Sequence, residues 1–517
     1  MNGADRLCDV LLANGVDVCF ANPGTSEMHF VAALDRKPAM RCVLGLFEGV
    51  VTGAADGFGR MADRPAATLL HTGPGLANGL ANLHNARRAQ TPVVNVVGDH
   101  ASYHLRFDAP LTSDIDSLAR PMSQWVRRVA GPEDVGPAAA AACVAARTIP
   151  GVATLILPAD AAWGEVAPAP VEPASGLVRP VATAGATRAA AEAIRRAPGR
   201  VGLVLAGPAL RGDALATAGR IAAACRARLF CAPLVARVER GRGRVPVARI
   251  PYPLDAATAT LRDMDALILV GAPEPVAFFA YPGKPSRLVH DGCAVITLAT
   301  PDCDLGRTLE ALAVELGVSR FQPSLAPPPD GTNGVPQGSL TGDAVAIILA
   351  RMLPEGAIVC DEALTSAREL FAFGAHAAPH DYLMNTGGAI GIGIPLSVGA
   401  AVACPQRKVV TLQADGSGMY TVQGLWTQAR ERLDVLTVVF SNRAYAILRM
   451  ELRNLGVNQV GRNAERMMSL DQPALDWVSL AKGMGVDGAR ATTCEGFASL
   501  LASALQRRDP FLIEAVI

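Results

Sequence analysis

Asp415 and Asn442 have residue types and a spacing that suit a metal ion. Within residues 409–445, the apolar runs VVTL and LTVVF read as strands, and a helical pattern over 420–433 lies between them. A right-handed crossover makes such strands parallel neighbours, so Asp415 and the Asn 27 positions later emerge at one edge of a sheet. Magnesium prefers oxygen ligands, commonly one or two carboxylates with phosphate. The pattern predicts a magnesium-diphosphate site; the alternative is an ordinary Asp-Gly turn and an unrelated loop Asn.

The residues after Asp415 suit a phosphate group. Gly416 lets the backbone come close to an anion, and Ser417 adds a hydroxyl. The helix that follows offers free N–H groups and a positive dipole end. This turn is therefore predicted to hold the diphosphate.

Three residues in the N-terminal third follow apolar strands and could do chemistry. Glu48 ends CVLGLF and opens a helix, either as a first-turn Glu or as a buried carboxylate that needs a partner. His71 in LLHTGPG could deliver a proton, or its ring could simply bond a backbone carbonyl. Thr25 in NPGTSE could contact a substrate or cap the next helix.

Two further loops are candidates for cofactor contacts. Thr365 or Ser366 in DEALTSA could donate to a diphosphate, since side-chain hydroxyls are common donors to phosphate oxygens. The segment NTGGAIG, residues 385–391, is a Gly-rich connection before a helix, or simply a flexible loop.

These motifs together resemble the thiamine diphosphate (ThDP) enzyme superfamily. DGS with its distant Asn is similar to the family's diphosphate and magnesium motif, although Ala414 stands where a Gly is usual. NPGTSE, EGVV and HTGPG resemble the benzoylformate decarboxylase branch, with acetolactate synthases more distant. The resemblance implies ThDP and Mg²⁺ as cofactors and a small 2-oxo acid as substrate.

The resemblance also implies a role for each site residue. Glu48 would bond the aminopyrimidine ring nitrogen, His71 would protonate the carbanion, and Thr25 would touch the substrate carboxylate. On the cofactor side, the backbone of Gly388 and Ile390 and the side chain of Ile390 would hold the aminopyrimidine. The Ala444 carbonyl would be the third metal ligand, and Tyr445 would lie near the diphosphate.

The branch points to non-oxidative decarboxylation of a 2-oxo acid. Acetolactate synthases generally lack a His at the place of His71, which favours this reading over an acetolactate synthase-like carboligase. A non-catalytic ThDP-binding protein is the third alternative, and intact Glu48 argues against it. A second active-site His of benzoylformate decarboxylase is missing, because the aligned residues 276–280 read VAFFA. Phe278 and Phe279 could line an apolar substrate pocket or belong to the core.

Length and composition set the wider expectations. A chain of 517 residues suggests about three domains. Equal numbers of basic and acidic residues, 47 each, favour neither nucleic acid nor a membrane surface as partner. The 11 cysteines form no C-x-x-C pair, no apolar run is long enough to span a bilayer, and the N-terminus is not a signal peptide. A cytoplasmic location is expected.

The elements that must position these residues alternate between helix and strand, which predicts three doubly wound parallel-sheet α/β domains. The resemblance gives a pyrimidine-binding domain at 1–166, a central Rossmann-like domain at 188–322 and a diphosphate-binding domain at 340–517, with linkers at 167–187 and 323–338. It implies a homodimer or homotetramer with active sites between subunits. FAD is not expected, because GAPEPVAFFAYPGKP lacks a basic contact motif.

In the N-terminal third, helical and strand patterns alternate regularly. One polar stretch near the C-terminal end shows no such pattern. Residues 449–469 have no clear period and are expected to order over the site when a ligand binds. Helices are predicted at 4–14, 28–34, 49–61 and 76–89, and strands at 17–21, 41–47, 66–71 and 92–98.

Overall fold

Three sheets, each made mainly of parallel strands, follow one another along the chain in a computed structural model that describes residues 1–174, 178–328 and 334–517. The predicted α/β class is confirmed. Strands in such sheets are buried on both faces by the helices that connect them, which explains their continuous apolar runs. Parts of both predicted linkers, residues 175–177 and 329–333, lie outside the described residues.

The first sheet has the strand order β2-β1-β3-β4-β6-β5. Its central strand β4 is buried along its whole length. The strands are β1 Val18–Asn22, β2 Arg41–Leu44, β3 Ala66–Leu70, β4 Val93–Asp99, β5 Trp125–Arg128 and β6 Val152–Pro158, and the helices are α1 Gly3–Ala13, α2 Met28–Asp35, α3 Glu48–Ala62, α4 Thr72–Ala89, α5 Ile115–Ala119, α6 Val135–Thr148 and α7 Ala159–Trp163.

The second sheet has the order β10-β8-β7-β11-β12, and one strand of this region leaves it. Strand β9 pairs instead with the third sheet, so the predicted central segment 188–322 contributes to two sheets. The strands are β7 Val201–Leu205, β8 Arg228–Cys231, β9 Val238–Arg240, β10 Ala248–Arg249, β11 Ala266–Val270 and β12 Ala294–Ala299, and the helices are α8 Ala184–Arg196, α9 Gly212–Cys225, α10 Leu254–Leu261 and α11 Leu305–Leu316.

The third sheet has the order β17-β18-β16-β15-β13-β14-β9, and β9 is its antiparallel edge. The strands are β13 Ile358–Glu362, β14 His380–Met384, β15 Val409–Ala414, β16 Val435–Ser441, β17 Asp487–Ala491 and β18 Phe511–Val516. The helices are α12 Gly342–Met352, α13 Leu370–Phe373, α14 Gly393–Ala403, α15 Asp415–Gly418, α16 Gly424–Arg430, α17 Ala446–Asn454, α18 Arg462–Met468, α19 Trp477–Gly483 and α20 Cys494–Gln506.

Several predicted element boundaries are wrong. Helix α4 begins at Thr72, so the GPG turn is its first turn; a proline there lacks only an N–H that would have no partner inside the helix. The helix predicted over 420–433 is shortened to α16. Segment 449–469, which has no clear period in the sequence, contains most of α17 and all of α18. Helix α8 starts inside the predicted first linker, where the Thr183 hydroxyl accepts from the Ala186 N–H.

Helices α3 and α14 join the first and third sheets within the chain. Almost every residue of α3 is buried. The two backbones come so close that a Cβ placed on Gly399 would lie 1.8 Å from the Ala54 carbonyl oxygen. Glycine at this crossing therefore sets how the two sheets stand relative to each other.

A helix that crosses a membrane needs both sufficient length and an apolar composition. In the described part of the chain, no helix combines the length and the apolar composition needed to cross a membrane.

Candidate active site

Glu48 is the first residue of α3 and is 9% exposed. Its carboxylate Oε2 accepts a hydrogen bond of 3.0 Å from the Asn78 side-chain amide. The two alternatives raised by the sequence therefore coexist, since this Glu lies in a first helical turn and is also buried with a partner. Asn78 comes from α4, so the helix after His71 holds the Glu48 side chain.

His71 lies at the N-terminal end of α4 and is held by an acid that sequence reasoning missed. Its Nδ1 is 2.9 Å from Glu27 Oε2 and 3.1 Å from Ser26 Oγ. Glu27 is buried, and the same oxygen accepts from the Gly24 N–H at 2.8 Å. Because a carboxylate can only accept, Nδ1 donates the proton and Nε2 is left for a ligand.

The NPGTSE loop carries this acid in one short helical turn, Thr25–Glu27. The loop begins where β1 ends, and its Ser26 hydroxyl also donates to the Glu27 carboxylate. An acid at the end of a strand-to-helix loop was the available signal. It was not enough, because nothing local shows that the acid would turn towards a His 44 positions away.

A cavity of about 280 Å³ opens at this edge of the first sheet. Thr25 and His71 both line it, so the structure brings two of the three predicted catalytic residues to one space. Other residues of its wall are Ser26, His100, His104 and Trp163.

Asp415 and Asn442 stand at the ends of the neighbouring parallel strands β15 and β16, where the spacing placed them. Asp415 is 2% exposed and accepts from the N–H groups of Gly416, at 2.8 Å, and Arg443, at 2.7 Å. Burial raises the pKa of the Asp415 carboxyl, and these N–H groups oppose that rise. Among the described residues no basic side chain forms an ion pair with it. A buried carboxylate in this state suits a bound cation.

Asn442, at the neighbouring strand end, is held through its amide group. Its Oδ1 accepts from the Ala444 N–H at 3.0 Å, and its Nδ2 donates to Ser366 Oγ at 3.3 Å. Of the two hydroxyls predicted in this loop, Thr365 and Ser366, it is Ser366 that contacts the Asn442 side chain. Thr365 is half-buried beside it.

Tyr445 and Ser417, both predicted to lie at the diphosphate, are placed differently in this turn. The ring of Tyr445 packs on Gly416 so closely that a Cβ there would lie 2.5 Å from the ring, which requires glycine. The Ser417 hydroxyl is buried in the turn, where it accepts from the Gln413 amide at 2.7 Å and donates to the Ala414 carbonyl at 3.2 Å. The Ser417 hydroxyl therefore stabilises the conformation of the turn.

The Gly-rich loop 385–391 is held by a second acid that sequence reasoning missed. Glu362, at the end of β13, accepts from the N–H groups of Gly391 and Gly393, each at 2.8 Å, and from the Gln413 amide at 3.0 Å. Burial raises the pKa of its carboxyl, and the donors oppose the rise. Its only sequence signal was a charge at the end of an apolar strand.

The first and second sheets also contact this loop. The Asn85 side chain accepts from the Gly387 N–H at 3.1 Å and donates to the Ala389 carbonyl at 2.8 Å. Phe278, from the connection between β11 and β12, packs over Gly388, where an added Cβ would lie 2.8 Å from the ring. Ile390 is half-buried. The loop thus has a defined shape, with an aromatic wall on one side.

The predicted metal ligands differ in kind from a cluster of acids or thiols. No group of three or more His, Cys, Asp or Glu side chains in the described ranges is arranged to hold a metal. The predicted set is instead one carboxylate, one amide oxygen and one backbone carbonyl.

Family models match both ends of this chain, and relatives match its whole length. The N-terminal TPP-binding domain of thiamine pyrophosphate enzymes matches residues 1–119, and their C-terminal TPP-binding domain matches residues 367–515. A Mycobacterium tuberculosis protein provisionally named acetolactate synthase large subunit IlvX is 49% identical, over 100% of this chain and 99% of its own. Benzoylformate decarboxylase of Pseudomonas aeruginosa is 28% identical, over 98% of this chain and 97% of its own.

A solved structure is similar over nearly the whole fold. The thiamine diphosphate-dependent 4-hydroxybenzoylformate decarboxylase of Rhodococcus jostii RHA1 superposes with a TM-score of 0.85, covering 99% of this chain and 98% of that chain at 26% identity. Both family domains, the full-length relatives and the fold point to the same family. The chain therefore belongs to the thiamine diphosphate-dependent enzymes, in the family that contains decarboxylases and acetolactate synthases.

Proposed function

We propose that this enzyme carries out the non-oxidative decarboxylation of a 2-oxo acid with ThDP and Mg²⁺. The observation that carries the proposal is the His71–Glu27 pair in the same cavity as Thr25. A His with its Nδ1 fixed by a carboxylate presents Nε2 to a ligand, which is what proton delivery to carbon requires. The similarity to benzoylformate decarboxylase supports the same reaction.

The cofactor would be held at three places. Asp415, Asn442 and the Ala444 carbonyl would bind Mg²⁺, and Gly416 with the start of α15 would face the diphosphate. The backbone of Gly388 and Ile390 would hold the aminopyrimidine. When bound, ThDP would supply a nucleophilic carbon and a cationic ring that takes up the electron pair released with carbon dioxide.

The chain's own residues supply placement and proton transfer. Glu48, held by the Asn78 amide, would exchange a proton with the aminopyrimidine ring nitrogen. The Thr25 hydroxyl would bind the substrate carboxylate at the cavity wall, and His71 Nε2 would give a proton to the carbon that loses carbon dioxide. An apolar environment favours that loss, because a carboxylate there is poorly solvated.

An acetolactate synthase-like carboligation is the second candidate, and the 49% identical relative favours it. The two reactions share their first half and differ in what the intermediate carbon receives, a proton or a second 2-oxo acid. Product analysis with pyruvate and with benzoylformate separates them. An aldehyde supports decarboxylation, whereas an acetohydroxy acid as main product contradicts it.

Replacement of the Glu48 carboxyl tests the role of this residue. Glu48→Gln keeps the shape and the Asn78 contact, so ThDP affinity should be retained while turnover falls at least about a hundredfold, the scale of a lost proton-transfer group. Carbon dioxide release and ThDP titration measure the two effects. Glu310→Gln, at an exposed position, is the matched control. Near-normal turnover of the Glu48 variant would contradict its role.

Removal of the metal tests the second half of the site. Chelation of Mg²⁺, or Asp415→Asn, should weaken ThDP binding strongly, because the diphosphate would then face a buried site without its counter-charge. Calorimetric titration of ThDP with and without Mg²⁺ measures this. Asp487→Asn, at an exposed Asp of the same sheet, should bind normally. Equal ThDP affinity with and without magnesium would disprove the assigned ligands. We expect no flavin colour in the purified protein.

A further inference from the structure

The cavity beside His71 contains histidines to which neither the sequence nor the proposed reaction assigned a role. His100 follows the end of β4, and His104 lies one turn later, with 5.6 Å between the ring centroids. The His100 N–H donates to Asp99 Oδ1 at 2.7 Å, and the fully buried Asp99 pairs with Arg128. The backbone that carries the His100 ring is therefore fixed at this strand end.

The His100 ring nitrogen Nε2 is buried and has no hydrogen-bond partner in the part of the chain that the structure describes. The same is true of Thr72 Oγ1, which belongs to the same cavity wall. A buried polar atom without a partner costs roughly 1–3 kcal/mol, so native proteins seldom retain one without a reason. Both residues line the cavity, so a small turn of the ring and of the hydroxyl would let a polar ligand complete these hydrogen bonds.

The proposed reaction needs more than one proton-exchanging group. Conversion of a 2-oxo acid anion and one proton into carbon dioxide and an aldehyde puts a proton on the carbon that lost the carboxylate. The carbonyl oxygen also takes up a proton while the substrate is held and returns it when the aldehyde leaves. His71 can serve one of these atoms. Segment 276–280, which aligns with the second active-site His of benzoylformate decarboxylase, contains no His.

We propose that His100 is the second proton-transfer residue of this cavity and exchanges a proton with the carbonyl oxygen of the 2-oxo acid, while His71 serves the carbon. This inference rests on the proposed decarboxylation. The proton lent to the oxygen comes back to His100 on product release. The proton given to carbon is replaced from solvent, so each turnover consumes one proton, as the overall equation requires.

Other charged and titratable groups surround His100 and would shape its pH dependence. They are His71, His104 and Tyr103 at the cavity wall, Glu27 behind His71, Asp99 and Arg128 at the backbone, and Asp160, which accepts from the Ser102 N–H.

The test compares His100→Gln with His290→Gln. Gln has a similar reach and can still make a hydrogen bond but cannot exchange a proton at neutral pH, whereas His290 lies in the second-sheet region against the Met264 carbonyl. With the 2-oxo acid that the unmodified enzyme uses best, His100→Gln should lower kcat about a hundredfold. KM and ThDP affinity should change little, and one ionisation should disappear from the pH profile of kcat. His290→Gln should match the unmodified enzyme.

An unchanged kcat and pH profile in His100→Gln would overturn the inference, and so would a loss confined to KM. His100→Asn replaces the first variant if that one does not fold. Trp163 lines the same cavity, so its fluorescence follows entry of pyruvate or benzoylformate without turnover. If the unmodified chain releases no carbon dioxide, the proposed function fails. His100→Gln must then still alter the pH dependence of this binding, and identical binding curves would overturn the inference.

Discussion

Glu27 and His71 form one functional unit at the scale of single residues. The buried carboxylate accepts from His71 Nδ1 at 2.9 Å, which fixes both the tautomer and the direction of the ring. Glu27→Gln keeps the volume but offers an amide that can adopt either orientation, so a fraction of the rings should present the wrong nitrogen. We expect kcat to fall about a hundredfold, at the lower scale of general acid catalysis.

A double-mutant cycle checks that this loss passes through the ring. In a His71→Gln background, Glu27→Gln should cost little more, because the two residues share one interaction. If the two losses multiply instead, Glu27 acts by another route. Unchanged ThDP affinity in all three variants would show that the rest of the site is intact.

Strand-end residues were predictable from sequence, and their supporting acids were not. Asp415, Asn442 and His71 follow apolar strands, so the pattern alone placed them at sheet edges. Glu27 and Glu362 support loops that lie 44 and 29 positions away, at His71 and Gly391, and such pairing exists only after folding. Ser417 shows a different limit, since the hydroxyl predicted to face a phosphate is hydrogen-bonded inside the turn itself.

Strand β9 connects the second-sheet region to the third sheet, at the scale of elements. Arg237, just before β9, donates from Nε to Asp381 on β14 at 2.6 Å, and Arg407 donates to the other Asp381 oxygen at 2.6 Å. Burial alone would raise the pKa of Asp381, but the two guanidinium groups outweigh it and the pKa is lowered. This carboxylate therefore helps to fix the antiparallel edge of the sheet.

Asp381→Asn should destabilise the chain in a pH-dependent way. At pH 7 the variant removes the counter-charge of Arg407 and leaves Arg237 only its longer contact with Asp63, at 3.6 Å. We expect a loss of about 3 kcal/mol. A carboxyl with a lowered folded pKa stabilises above its unfolded pKa, about 3.9. That stabilisation is lost as the pH falls through the folded pKa. The difference in urea midpoint between the two proteins should therefore shrink below about pH 4.

The matched control for this effect is Asp487→Asn. Asp487 is exposed and pairs with Arg507 at the surface, so its loss should change stability by less than about 0.5 kcal/mol at any pH. A midpoint difference for Asp381→Asn that stays constant with pH would show that the ionised carboxylate is not what stabilises this edge.

The elements themselves were predicted better than their ends. The alternation of β-branched strands with helical patterns gave the parallel sheets, because burial on both faces leaves a strong apolar signal. Strand β9, with three residues, has no such signal, and its partner β14 lies far along the chain. The start of α4 was missed because Gly and Pro normally indicate a turn, whereas this pair begins a helix.

At the scale of the whole molecule, the predicted subunit contact would join two sheet edges. Glu48 lies at the edge of the first sheet and Asp415 at the edge of the third. Large apolar side chains are exposed in the same stretches of chain, Leu46 just before Glu48, Tyr420 shortly after Asp415, and Leu448 shortly after Tyr445. A subunit contact at these edges would cover such exposed apolar groups. We therefore propose that two copies face each other, so that Glu48 of one completes the cofactor site at Asp415 of the other.

Hybrid dimers test this arrangement directly. Glu48→Gln and Asp415→Asn chains carry different tags, are co-expressed, and the hybrid is isolated by both tags. If sites are shared, one site combines both substitutions and the other is intact, so the hybrid should have about half the activity of the unmodified dimer, as two-fold symmetry requires. Both homodimers should be nearly inactive.

The reciprocal hybrid gives the opposite result and completes the test. An unmodified chain paired with a Glu48→Gln/Asp415→Asn chain should be inactive if sites are shared, because each site then contains one substitution. If each chain instead builds its own site, this second hybrid keeps one intact site and the first hybrid has none. Shared sites therefore make the first hybrid active and the second inactive, whereas separate sites make the first inactive and the second active. A failure of either chain to fold would not produce this reversal.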